Sequence, residues 1–395
     1  MLEATLTERA RGLLTASLRS EVPPFMVMDV MAAAARIEAA GGHVIHMEVG
    51  QPAAPAPKAA ISAAHAALED GRIDYTSALG IPSLRQRIAK HYRETYGCAV
   101  DAERIVVTTG SSGAFILAFL AMFEPGDRVA VTVPGYPPYR HILTALGCEP
   151  VLIETSSETR HALTGEALLS AHRRTPLKGV LVGSPANPTG TMMSREALTS
   201  LIAAAEGAGI RFISDEIYHG LDYAFPAATA AELSPNALVI NSFSKYFCMT
   251  GWRVGWMVAP EPLVRPIERL QQNLAISVPT LSQIAAEAAF EGRQEMEDVK
   301  RGYQENRRIL IAGLPQAGLD KFLPADGAFY LYADVSQFTS DSFEFAKQML
   351  EQAHVAATPG IDFDPVHGHQ FVRFSYARSA EEMREAVARI ARWLG

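Results

Sequence analysis

The sequence predicts an α/β protein with a large domain on a mainly parallel sheet covered by helices, joined to a smaller α+β domain. Two observations carry that reading. From about residue 104 to residue 259, short β-rich runs alternate with helical stretches, as when parallel strands are linked by helices that cover both faces. Past about residue 290 the alternation stops, and a strand, helix, strand pattern takes its place. A chain of 395 residues, 48% apolar and 20% charged, has room for both units and a large core. The expected division is an N-terminal segment, residues 1–50, packing with the small domain, a large domain at 51–290 and the small one at 291–395.

The elements follow in order. Met28–Ala40 reads as a helix stopped by the Gly41-Gly42 breaker. His43–Val49 is a short apolar segment, and Gly50-Gln51-Pro52 opens a Pro/Ala-rich loop before a helix over Lys58–Leu68. The strand-like runs are Arg104–Thr109, Arg128–Val133, Pro150–Ile153, Gly179–Gly183, Ile210–Ser214, Ala237–Asn241 and Arg253–Ala259. Helices are expected at Ser112–Phe123, Tyr139–Leu146 and Ser194–Glu206. The link between the last two runs is too short for a crossover helix, so Arg253–Ala259 is expected to be antiparallel. Glu287–Ala312 reads as one long helix, followed by strands at Phe329–Val335 and Gln370–Ser375 with a helix from Ser342 between them.

Composition excludes several classes. A net charge of -8 offers no general attraction to nucleic acid or anionic lipid. The longest apolar run, Ala114 to Phe123, is too short to span a bilayer. The first twelve residues carry both charge signs and no signal-peptide pattern, so a cytoplasmic location is expected. Cys98, Cys148 and Cys248 lack metal-ligand spacing and read as apolar fillers in a reducing compartment, Cys248 alone lying close to Lys245.

Ligands of open parallel sheets gather beyond the carboxyl ends of the strands, and the unusual polar residues fall there. Thr109-Gly110-Ser111-Ser112 follows one run, Pro134-Gly135-Tyr136 the next, and Asn187 closes a turn after a third. Asp215 caps a fourth, and Ser242-Phe243-Ser244-Lys245 a fifth. Gly110-Ser111-Ser112 before an apolar helix suits a phosphate, through free N–H groups and the helix dipole; taken alone it reads first as an ordinary Ser cap. Ser242 and the Arg253 fork complete a cup of donors. Lys245, crowded and near Arg253, is expected to have a lowered pKa and so a nucleophilic amine, although a single lysine is more often at the surface. Asp215 ends an apolar run, where a buried carboxylate requires a cation such as a pyridinium nitrogen, or else serves as an ion pair or cap.

With these residues in place, the chain from about Phe25 onward closely resembles the class I aminotransferases of the fold-type I pyridoxal-phosphate superfamily. The resemblance rests on Ser242-Phe-Ser-Lys245 followed by Met249-Thr-Gly-Trp-Arg253-Val-Gly, on Ser184-Pro-Ala-Asn187-Pro-Thr-Gly, and on Asp215-Glu-Ile-Tyr218. It implies pyridoxal 5'-phosphate as cofactor, Lys245 as the Schiff-base lysine and proton shuttle, and Asp215 as partner of the pyridine nitrogen. Asn187 and Tyr218 would hydrogen-bond the ring's phenolic oxygen, and Tyr136 would stack on its face. Ser111, Ser112, Ser242 and Arg253 would hold the phosphate. A tyrosine matching Tyr75 reaches the phosphate of the neighbouring subunit in this family, which implies a homodimer with shared sites. Arg373, in Phe371-Val-Arg373-Phe-Ser, matches the arginine that grips the substrate α-carboxylate, and Gly50 matches a glycine whose backbone lines that pocket.

The chain also departs from its family. Many aspartate-preferring relatives carry a lysine where this chain has Ser112. Asp362 and Asp364, in Thr358-Pro-Gly-Ile-Asp362-Phe-Asp364, are expected to put acid at the edge of the site. Both departures favour a neutral substrate (aromatic, aliphatic or small) exchanged with a 2-oxo acid. A carbon–sulfur β-lyase on the same scaffold is the alternative. A cofactor-binding regulator lacks a basic helix-turn-helix here, and a nucleotide-binding protein lacks its phosphate fingerprints.

Overall fold

A computed structural model of the protein describes residues 15–71 and 73–395. The reading of the first twelve residues therefore lies outside the described residues. Strands in chain order are β1 (Ile45–His46), β2 (Ile105–Thr108), β3 (Arg128–Val133), β4 (Glu149–Glu154), β5 (Gly179–Gly183) and β6 (Arg211–Asp215). They continue with β7 (Leu238–Ser242), β8 (Gly255–Val258), β9 (Tyr330–Asp334), β10 (Val355–Ala356), β11 (Thr358–Pro359) and β12 (Phe371–Ser375).

Seven strands form one sheet in the order β2-β8-β7-β6-β5-β3-β4. Only β8 runs against the rest, antiparallel to both β2 and β7, as the short link before it requires. Burial on both faces explains the uninterrupted apolar runs, and neighbouring residues of one strand enter different cores. Val180 and Val182 join one cluster with Phe212 and Val239. Leu181 joins the other with Ile213, Leu238 and Ile240.

Four helices flank the sheet's polar end or carry residues toward it: α1 (Met26–Ala39), α2 (Pro82–Tyr96), α3 (Gly110–Met122) and α4 (Pro137–Ala145). Helix α2 begins with proline and ends at Gly97, whose φ of 70° suits a residue without Cβ. The helix Glu261–Leu274 is absent from the sequence reading; its apolar residues follow a helical period, but Pro266 inside it reads as a breaker. The single long helix expected at Glu287–Ala312 is corrected. One helix ends at Ala289, a 3-10 turn spans Phe290–Gly292, and a second helix covers Arg293–Gly313. Gly292 lies so close to Pro57 that any Cβ there would clash, and the close approach coincides with the break.

A second sheet joins β11, β12 and β9 antiparallel. Its core gathers Leu310, Phe329, Leu331, Phe374 and Ile390. The early chain reaches this part of the molecule, since β1 pairs in parallel with β10. Ala34 of α1 packs with Leu350 and Ala356. No described helix is long and apolar enough to cross a membrane.

Candidate active site

Beyond the carboxyl ends of β2, β3, β5, β6 and β7 lies a cavity of about 200 Å³. Ten of the twelve site residues expected from sequence line it: Gly50, Ser111, Ser112, Tyr136, Asn187, Asp215, Tyr218, Lys245, Arg253 and Arg373. Ser242 and Tyr75 do not. Ser242 is buried one step behind the wall, its hydroxyl 2.9 Å from Ser244 Oγ and 3.2 Å from the Val254 carbonyl. Ser244 is the serine that faces the cavity. Tyr75 is 80% exposed and lies in a separate surface hollow with Thr76, Ile81 and Thr280.

Lys245 Nζ donates to the Gly50 carbonyl at 2.6 Å. Burial, with Arg373 and then Arg253 nearby, lowers its pKa to about 8, and Asp215 opposes the shift. The larger of the two arginine effects therefore comes from a residue far away in sequence. Asp215 is almost fully buried; Tyr139 donates its hydroxyl to Oδ2, and the Ile217 N–H donates to Oδ1 at 3.1 Å. Burial raises its pKa to about 6, while these two donors pull it back.

Arg373 is 1% exposed and braced on several sides. Nη1 donates to Asn187 Oδ1 at 2.8 Å, and Nη2 to the Glu48 carbonyl and, at 3.1 Å, to Thr358 Oγ1. The guanidinium lies 4.4 Å from the Tyr330 ring centroid and 4.6 Å from that of Phe363. Its Nε is buried without an acceptor. Tyr218 and Tyr330 share a hydroxyl contact of 2.7 Å. A Cβ on Gly50 would overlap the Tyr330 hydroxyl, so glycine is required for this packing.

Ser111 and Ser112 lie in the first turn of α3, facing Arg253. Gly110, at φ 65°, leaves no room for a Cβ beside the Arg253 guanidinium, and Gly255 likewise lets β8 approach the Ser111 backbone.

Several lining residues were not singled out from the sequence. Tyr139 follows Tyr136 by three positions at the start of α4, a helical spacing that puts both on one face. Phe25, Val27 and Met28 come from the start of α1, and no local signal marks them. Neither Asp362 nor Asp364 lines the cavity, which corrects the expected acidic edge. Asp364 closes a turn by accepting from the Val366 and His367 N–H groups at 2.8 and 3.1 Å. Asp362 accepts from the Met26 N–H at 3.4 Å, at the start of α1. Cys248 also stays outside, its thiol pushed up to about 12 by burial.

The profile of the family "Aminotransferase class I and II" matches residues 42–390. The chain belongs to this family. The aminotransferase is 48% identical over 382 residues to the valine–pyruvate aminotransferase of Mycobacterium tuberculosis, covering 96% of this chain and 98% of that protein. A crystal structure of an aminotransferase from Mycobacterium tuberculosis superposes with a TM-score of 0.94 at 48% identity, covering 96% and 99% of the two chains. Aspartate aminotransferase from Thermus thermophilus with maleate superposes at 0.89 with 32% identity, over 96% and 99%.

The aminotransferase uses pyridoxal 5'-phosphate and exchanges amino groups between amino acids and 2-oxo acids. The cavity fits that cofactor. Asp215 is a buried carboxylate that forms no ion pair among the described residues, Lys245 acting on it only from a distance, and a cationic ring nitrogen would restore balance. The cup of Ser111, Ser112, Ser244 and Arg253 at a helix start has the donors a phosphate takes. No cluster of metal-ligating residues is present among the described residues.

Proposed function

We propose that the aminotransferase takes the amino group of a neutral aliphatic amino acid, valine first among them, and passes it to a small 2-oxo acid such as pyruvate. One observation carries this reading. Phe25, Val27, Met28 and Val49 form apolar wall, and the cavity's only cations among the described residues are Lys245, Arg253 and Arg373. Each cation already has a task, so a second substrate carboxylate would lose its hydration without finding a partner in this chain. An aliphatic side chain instead gains about 1.5–3 kcal/mol from burial. The resemblance to the valine–pyruvate enzyme supports the same substrate class. A panel of amino acids, each tested for conversion of the bound cofactor to its amine form, decides the matter. Valine is expected to exceed aspartate by at least ~100-fold in kcat/KM; comparable rates for the two would sink the reading. Release of pyruvate and ammonia from a cysteine conjugate without an acceptor would mark the β-lyase instead.

When bound, pyridoxal phosphate supplies an aldehyde that captures amines and a ring that takes up the electron pair left at the substrate Cα. We assign the remaining work to the chain's own residues. Lys245 Nζ would hold the cofactor, and its amine would take the substrate Cα proton and give it up again. Asp215 holds a proton on the ring nitrogen, with Tyr139 and the Ile217 N–H keeping it ionised. Asn187 and Tyr218 hydrogen-bond the ring oxygen, and Tyr136 covers its face. Ser111, Ser112, Ser244 and Arg253 hold the phosphate, with Ser242 supporting Ser244 from behind. Arg373 grips the α-carboxylate and so orients the Cα–H bond. Gly50 fixes Lys245 through its carbonyl.

The chain is further proposed to act as a homodimer, with Tyr75 serving a second copy, and to divide near residue 290 into large and small domains. The exposure of Tyr75 supports the first point. Co-expression of Tyr75→Ala and Lys245→Ala chains should yield hybrid dimers with one site free of both changes, and the absence of such recovery would count against sharing.

A further inference from the structure

A second cavity, also of about 200 Å³, lies directly behind the active-site wall. Two short segments are divided between the two spaces. Ser244 and Lys245 line the first cavity, while the next residues, Tyr246 and Phe247, line the second. In the same way Ile217 and Tyr218 line the first, and His219 and Gly220 the second. Gly220 is needed there, because at φ 91° a Cβ would run into the Tyr246 ring.

The inner walls are aromatic. Phe247, Phe290 and Trp256 are all nearly fully buried, and the Phe247 and Phe290 rings meet edge-on at 5.0 Å. An apolar cavity of about 150 Å³ is enough to take up benzene, so this one has room for a ring and a short substituent.

The polar groups that line it are mostly spent. Tyr246 donates to Glu297 at 2.6 Å, and Lys300 pairs with Asp222 at 3.3 Å. His219 uses both ring nitrogens, on Tyr96 at 2.8 Å and on the Ser184 carbonyl at 3.0 Å. What is left over is cationic. Arg87 pairs with Glu94 through Nη1 at 3.2 Å, but its Nε is buried without an acceptor. Arg293 has no hydrogen bond or ion pair among the described residues. Both guanidinium groups act on the His91 ring, which also lines the cavity; burial first and Arg87 next lower its pKa to about 4, Glu94 opposing and Arg293 adding to the shift. Unused guanidinium donors beside an aromatic chamber match a planar carboxylate attached to a ring.

We propose that this second cavity binds a small aromatic monocarboxylate, its ring against the aromatic lining that includes His91 and Phe290 and its carboxylate on the Arg293 guanidinium. Such a ligand would touch the immediate chain neighbours of Lys245 and Tyr218 without entering the catalytic space.

The test is calorimetric titration of the holoenzyme with phenylacetate, in the presence of saturating valine so that the first cavity is occupied. Benzyl alcohol and phenethylamine serve as the neutral and oppositely charged probes. Phenylacetate is expected to bind once per chain, at least ~10-fold more tightly than either control, as the loss of a charge-assisted contact implies. Arg293→Ala and Arg293→Glu should weaken it by a similar factor or more while leaving valine turnover without phenylacetate unchanged. Arg293 is exposed and makes no hydrogen bond or ion pair among the described residues that folding would miss. Failure of phenylacetate to bind at millimolar concentration, its exclusion by valine, equal binding of phenethylamine, or indifference to both Arg293 variants would each overturn the proposal. The phenylacetate titrations of the parent and the Arg293 variants are repeated without valine, so failure of the second cavity is told apart from an error in the amino donor.

Discussion

The Arg373 guanidinium and the Asn187 amide meet at 2.8 Å inside the cavity, Nη1 donating to Oδ1. The residue assigned to the substrate carboxylate and a residue assigned to the cofactor ring are thus one hydrogen-bonded unit. Asn187→Ala leaves a buried guanidinium short of an acceptor. Removing a partner from a charged group costs about 1.5–3 kcal/mol, or roughly 10–100-fold in kcat/KM. The loss should be smaller when Arg373 is already lysine, because paired residues are not additive. A double-mutant cycle checks this, and strict additivity would refute the coupling.

Tyr139 is expected to set the acid limb of the pH profile. Its hydroxyl pulls the raised pKa of Asp215 back toward the usual carboxylate range. In Tyr139→Phe that pull is lost, Asp215 picks up a proton at higher pH, and the fall in activity on acidification should begin earlier than in the parent. Rates near pH 8 should suffer less than rates near pH 6. An acid limb that stays in place would show that Tyr139 does not act through Asp215.

Cofactor capture should follow the ionisation of Lys245. A pKa lowered to about 8 leaves roughly 9% of the amine neutral at pH 7, against about 0.03% for an ordinary lysine. Rapid mixing of the cofactor-free protein with pyridoxal phosphate should give a capture rate that rises from pH 6 and levels off above about pH 9. Borohydride trapping and peptide mass would locate the bond at residue 245. A rate still climbing tenfold per pH unit at pH 10 would contradict the lowered value.

His46 ties helix α1 to β1 and is expected to make stability pH-dependent. Its ring nitrogens meet Glu48 at 2.8 Å and Glu38, on α1, at 3.0 Å. The Glu48 hydrogen bond raises its pKa most, against the effect of burial, to about 9. A histidine pKa raised in the folded state gives stability that is complete below about 6.5 and is lost as pH rises through about 9. The Tm difference between the parent and His46→Phe should therefore shrink between pH 6 and pH 10. A difference that is constant with pH would remove His46 from this role.

Much of the site was legible because the motif residues sit at strand ends, where local spacing and sheet geometry agree. The expected runs Arg128–Val133 and Gly179–Gly183 are strands β3 and β5 with the same bounds. The residues after them, Tyr136 and Asn187, line one cavity as the strand-end rule requires. The acids Asp362 and Asp364 were misread for the opposite reason. Their placement depends on which way a loop turns, and the backbone donors of Met26, Val366 and His367 claim their carboxylates.

By itself, the sequence determined the alternation of strands and helices, the order of the motifs and the chemical types that gather at the sheet's edge. Those features are written in spacing along a single segment, which periodicity and turn chemistry express directly. Only the tertiary structure decided that Tyr139 supports Asp215, that Glu48 and Thr358 brace Arg373, and that Phe25, Val27 and Met28 line the cavity. Contacts such as Arg373 with Glu48 join residues hundreds of positions apart. They arise from how separate elements pack, and no local pattern records that.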